Sequence, residues 1–124
     1  YGDGDDGTTL AQPVVSVFLR TKFTITDLSK IDRIRLYVDY DDGFAVYING
    51  VEVARNFLNA NAPFDQPATG LHEAVLYTGG TPEFYDFTSA QFAPFLVNGQ
   101  NTIAVQVHNE NISSSDLTSN VFLM

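Results

Sequence analysis

Carboxylates are the most conspicuous chemical groups in this sequence. Asp3, Asp5 and Asp6 crowd the glycine-rich opening Tyr-Gly-Asp-Gly-Asp-Asp-Gly. Calcium takes six to eight oxygens from carboxylates and carbonyls, and glycine lets a backbone curl until its carbonyls converge. The pattern lacks EF-hand spacing, so the expectation is a structural calcium held by Asp3, Asp5, Asp6 and, from near the other end of the chain, Asp116. The competing reading is a solvated acidic terminus. A second group, Asp41-Asp42-Gly43, suits a turn, because Asp favours turns and Gly43 can take positive φ. It also suits a bridge from Asp41 or Asp42 to Arg55 or Arg20, or, with Asn56, a polar lip for sugar hydroxyls. A third group is His108, Asn109, Glu110 and Asn111, followed by Ser113, Ser114, Ser115 and Asp116. Amides, carboxylates and hydroxyls of this kind hydrogen-bond to sugar hydroxyl pairs, or else cap a loop, with Asp116 satisfying backbone N–H groups. Tyr37 and Tyr47 fall out of phase with the aliphatic residues of their own segments. They therefore face outward, either to stack on a pyranose face or to pack across strands.

Little here supports catalysis. The chain has no Cys and two His, and no Gly-x-Ser-x-Gly elbow or phosphate loop. Its paired acids sit in adjacent turn positions, unlike glycosidase carboxylates that face each other across a cleft. The expected function class is non-enzymatic.

The elements that must position these groups read as strands. Helical periodicity is nearly absent, while short β-rich runs alternate with Gly, Pro, Asn and Asp. Residues 14–20 and 22–25, 33–40, 44–48, 51–55, 73–77, 84–87, 101–107 and 120–124 are the expected strands, with a helical turn within 90–96. Ile34, Leu36 and Val38 share one face, as do Ile103, Val105 and Val107. Asn49-Gly50 is the strongest local signal, because a type I′ hairpin turn needs positive φ at both central residues. Residues 56–72 form a long irregular loop, of the kind that often carries function. Phe and Tyr crowd 77–95, where most must be core and one or two can form a patch for a neighbouring domain. The expectation is an all-β sandwich of about eight or nine antiparallel strands, one module over residues 1–124.

Two segments, Val46-Tyr47-Ile48-Asn49-Gly50 and Leu96-Val97-Asn98-Gly99-Gln100-Asn101-Thr102-Ile103-Ala104-Val105, lie in order about fifty residues apart. With Asp41-Asp42-Gly43 and Ser113-Ser114-Ser115-Asp116-Leu117, they resemble the galactose-binding-like jelly-roll modules of large secreted bacterial proteins. They are also similar to the sugar-binding domain of family 2 glycoside hydrolases. The resemblance covers most of the chain from Val14 onward and implies a jelly roll. It also implies a carbohydrate-binding accessory role for a polysaccharide or oligosaccharide, in a secreted or cell-surface protein.

Composition narrows the partners. Fifteen acids against six bases give a net charge of −9, which leaves no basic patch for phosphate and disfavours anionic membrane. No apolar run is long enough to insert into a bilayer. The chain starts at Tyr1, which points to a piece of a longer chain whose neighbouring domains are partners, and a monomer is expected. The absence of Trp counts against a strong polysaccharide binder. The alternative function is a structural spacer or protein-docking module without glycan affinity.

Overall fold

A computed structural model describes residues 13–124. The strands are β1 (Ser16–Ile25), β2 (Arg33–Tyr40), β3 (Gly43–Ile48), β4 (Val51–Asn56), β5 (Glu83–Thr88), β6 (Gly99–His108) and β7 (Ser119–Leu123). All pairings are antiparallel, in a four-stranded sheet of order β1-β6-β3-β4 and a three-stranded sheet of order β5-β2-β7. Among the described strands, only the β3–β4 hairpin keeps the chain in one sheet; every other connection crosses to the opposite sheet. The expected all-β sandwich is therefore present, with seven strands among the described residues instead of eight or nine. Residues 22–25, which the sequence leaves as a continuation of the first strand or the start of the next, continue it as Ser16–Ile25, since Thr21 is β-branched and does not break it. Residues 73–77 are not a strand: a 3-10 turn at Leu76–Thr78 stands there.

Alternation builds the core. Leu36, Val38 and Tyr40 from the three-stranded sheet meet Phe44, Val46, Val105 and Val107 from the other. A second cluster joins Ile34 and Ile48 to Phe92, Phe95 and Leu96. These last three belong to the helical turn α1 (Ser89–Phe92), which opens with a Thr88–Gln91 capping box, and the residues just after it.

The two sequence motifs meet in space. Asn49 and Gly50 hold φ of 50° and 85°, as the hairpin turn requires. The Asn49 side chain donates to Asn101 Oδ1 at 2.7 Å and to the Phe95 carbonyl at 2.8 Å, and accepts from Thr102 N at 2.8 Å. Asn101 is fully buried and donates to the Val97 and Gly99 carbonyls while accepting from Val97 N. One amide pair thus ties the hairpin to the start of β6.

The long loop covers the outer face of the four-stranded sheet. Leu58 and Ala62 pack on Ala45, with Tyr47 beside them. His108 Nδ1–H donates to the Gln66 carbonyl at 2.6 Å, Ser16 Oγ to the Phe64 carbonyl at 2.6 Å, and Ala68 N to the Asn109 carbonyl at 2.8 Å. Phe57 crosses so close to β3 that a Cβ on Gly43 would sit 2.5 Å from its carbonyl oxygen.

Two changes test this packing. Asn101→Ala leaves several buried backbone groups without partners and costs about 1–3 kcal/mol in urea unfolding, with an unchanged slope. Gly43→Ala forces backbone against backbone and costs about 1–3 kcal/mol in the same assay.

Candidate functional site

Where β2 ends, the chain buries acids. Asp39, Asp41 and Asp42 are 2%, 3% and 3% exposed. A buried carboxylate is tolerated when donors replace its water. Asp39 receives the Val75 N–H at 2.7 Å, with Leu76 N at 3.4 Å. Asp42 receives His72 N at 3.1 Å on one oxygen and Glu110 N at 2.7 Å on the other. Asp41, joined to Asp42 by a cis peptide, gives its own N–H to the Thr118 carbonyl at 3.1 Å. Its carboxylate accepts no hydrogen bond from the described residues.

Two more acids face Asp41. Carboxylate oxygens of Asp41, Glu73 and Asp116 all lie within 4.8 Å of one another, so the three can hold a metal ion between them. Asp41 is the buried floor of this group, and Glu73 and Asp116 form its exposed rim. Burial, then the charges of Asp42, Asp116 and Glu73, push the Asp41 carboxyl up to about 7. Asp116 also borders a cavity of about 290 Å³ whose lining includes Val14, Val17, Asn109 and Ser119. Asn109 Oδ1 and Ser119 Oγ are buried without partners among the described residues.

The expected site residues distribute as follows. Asp41 and Asp116 come together, joined by Glu73, from the segment 73–77 that alternation reads as a strand rather than as a site. Asp3, Asp5 and Asp6 lie outside the described residues. No bridge joins Asp41 or Asp42 to Arg55 or Arg20. Arg55 instead donates to Glu52 at 2.8 Å and to the Leu58 carbonyl at 2.9 Å, and Arg20 sits on β1 opposite Ala104. Nor does Asp116 cap backbone N–H groups; its only hydrogen bond among the described residues is from Ser115 Oγ at 3.3 Å. Asn56 turns to a buried-edge network, donating to Tyr40 Oη and to both Glu83 oxygens. Burial alone would raise the Glu83 carboxyl, but hydrogen bonds from Tyr85, Asn56 and Tyr40 outweigh it and hold it below the usual range. His108 and Asn109 are buried struts; Asn109 bonds back to the Val14 and Val15 carbonyls. Asn111 is exposed and closes its own turn with Ser113. His72, which sequence reasoning did not single out, stacks on Tyr40 at 3.9 Å between centroids and bonds its carbonyl through Nδ1.

Tyr37 and Tyr47 part company. Tyr47 lies partly under the long loop and gives its hydroxyl to Glu52 at 3.3 Å. Tyr37 stands on the outer face of the three-stranded sheet, opposite Phe84 on β5 and Phe122 on β7. Its ring centroid is 5.8 Å from that of Phe84, and both phenylalanines are about half exposed. Beside this row, Arg35 makes a two-pronged pair with Asp86, each contact at 2.7 Å, and lies 4.2 Å over the Phe84 ring. The pairing with Arg35 holds the Asp86 carboxyl below its usual value. An apolar depression at one end is lined by Tyr37, Leu76, Pro82, Phe122 and Met124.

The raised Asp41 carboxyl has a definite sign. Between the ordinary carboxylate range and about 7, the folded state holds a proton that the unfolded chain has lost, so this group's contribution to stability falls as pH rises through that window. In chelator, Asp41→Asn should therefore gain on the wild type by more at about pH 8 than at about pH 5 in thermal melts. An equal gap at both values would contradict the assignment. No helix among the described residues is long and apolar enough to cross a membrane. Comparison with protein-family models, curated proteins and solved structures gives no match, so the arrangement of these side chains carries the functional argument.

Proposed function

We propose that the chain is a non-catalytic carbohydrate-binding accessory module of a secreted or cell-surface bacterial protein. In this reading a polysaccharide or oligosaccharide lies on the outer face of the three-stranded sheet. The observation that carries it is the aromatic row Phe84, Tyr37 and Phe122, side by side on three adjacent strands, with both phenylalanines about half exposed. Ring faces offer flat apolar surface to the C–H faces of sugars, and the Tyr37 hydroxyl adds a polar handle. The Arg35–Asp86 pair beside the row supplies donors and acceptors for hydroxyl groups. A non-catalytic role is supported by both histidines, whose Nδ1 atoms are committed to the Tyr40 and Gln66 carbonyls. A structural calcium would accompany the module whatever its sheet face binds, since an all-carboxylate group suits a hard cation.

A second reading, docking of a neighbouring domain, is favoured by the apolar depression beside Phe122 and Met124. Glycan arrays followed by affinity electrophoresis separate the two. Binding should appear and weaken about tenfold in each of Tyr37→Ala and Phe84→Ala, since a ring's stacking and burial together are worth about 1.4 kcal/mol. The absence of binding to any plant, algal or host glycan would leave the docking reading standing.

A further inference from the structure

We infer that Asp41, Glu73 and Asp116 form a binding site for a hard divalent cation, of which calcium is the best fit, closing two loops against the end of β2. Neighbouring buried acids at this end differ sharply in their partners. Asp39 and Asp42 are as deeply buried as Asp41, and backbone N–H groups donate hydrogen bonds to both. Asp41 receives no donor from the described residues and instead faces two further carboxylates. A carboxylate removed from water without compensation is strongly unfavourable, and two nearby like charges make it worse.

No basic side chain relieves the group. The ion pairs among the described residues join Lys30 to Asp27, Arg35 to Asp86 and Arg55 to Glu52, all elsewhere. The chain's net charge of −9 adds to the attraction for a cation. The donor set is oxygen alone, without His or Cys, which selects hard cations over zinc or copper. Oxygens on one ion can lie no farther apart than twice the metal–oxygen distance, about 4.6–5.2 Å for calcium. The observed separations, within 4.8 Å, meet that limit. Magnesium demands shorter bonds and near-ideal octahedral geometry, so it should bind more weakly.

The three ligands come from separate parts of the chain: the end of β2, the long loop before β5 and the connection between β6 and β7. An ion between them would act as a cross-link. Exposed Glu73 and Asp116 leave room for water to complete the coordination. This site stands on its own side chains and does not depend on what the aromatic face binds.

The experiment is calorimetric titration of chelator-stripped protein with calcium and, separately, magnesium, with thermal melts alongside. Calcium should bind at this site and raise the melting temperature, reversibly with EDTA, and magnesium should do so more weakly. Glu73→Gln and Asp116→Asn, both at exposed positions, should keep the fold and each lower calcium affinity by about tenfold or more. Asp41→Asn should abolish the response; if that variant does not fold, the two rim variants decide alone. Two results would overturn the site: no calcium response in the wild type at millimolar concentration, or a full response in the rim variants. The second result would mean that calcium is held elsewhere, as by Asp3, Asp5 and Asp6. Glycan binding is read separately, so its loss with calcium binding intact would sink only the carbohydrate reading.

Discussion

The need of buried carboxylates for partners organises one whole end of this sandwich. β2 carries Leu36, Val38 and Tyr40 into the core, and at its end the chain also buries Asp39, on the opposite face of the strand, and then Asp41 and Asp42 just beyond it. Two of them recruit backbone N–H groups from His72, Val75, Leu76 and Glu110. Those bonds fix where the long loop must end and where the chain leaves β6. Once its far end is fixed there, the loop lies across the four-stranded sheet, where Gln66 and Ala68 find partners in His108 and Asn109. Folding and site formation are therefore one problem: the acids that hold the loop also bring Glu73 to Asp41.

The two outer faces are unequal as a result. One is roofed by the loop, so that even Ala45 on it is fully buried. The other is covered among the described residues only near Asp39, where Val75 and Leu76 close over it, and Phe84 and Phe122 stay about half in water. Tyr47 and Tyr37 look equivalent by alternation, and only the loop's course distinguishes them.

What alternation alone determines was legible from the residues. Strands near 33–40, 44–48, 51–55 and 101–107, the Asn49-Gly50 turn and the inward rows of β2 and β6 follow from period-two burial and turn chemistry. Glu73 to Tyr77 also alternates, yet makes no strand, because Asp39 takes the N–H groups of Val75 and Leu76 that a ladder would need. Arg55 found Glu52, its neighbour three residues back, before it could reach the acids at Asp41 and Asp42. The Asp41, Glu73 and Asp116 group depends on three distant segments meeting. Asp41 and Asp116 stand out individually as acids in turn-like sequence, but Glu73 carries no local mark, and nothing in spacing announces the union.

The pairing of β1 with β6 has a consequence for how such a chain is made. Ser16 lies opposite His108, so the first strand must wait for nearly the whole polypeptide to emerge before its ladder can form. During vectorial synthesis the β3–β4 hairpin is the one local pairing available among the described strands, and β1 meanwhile offers unpaired edges to any passing chain. Maturation of this module is thus governed by late, long-range closure, and its most vulnerable moment comes just before the last fifth of the sequence arrives.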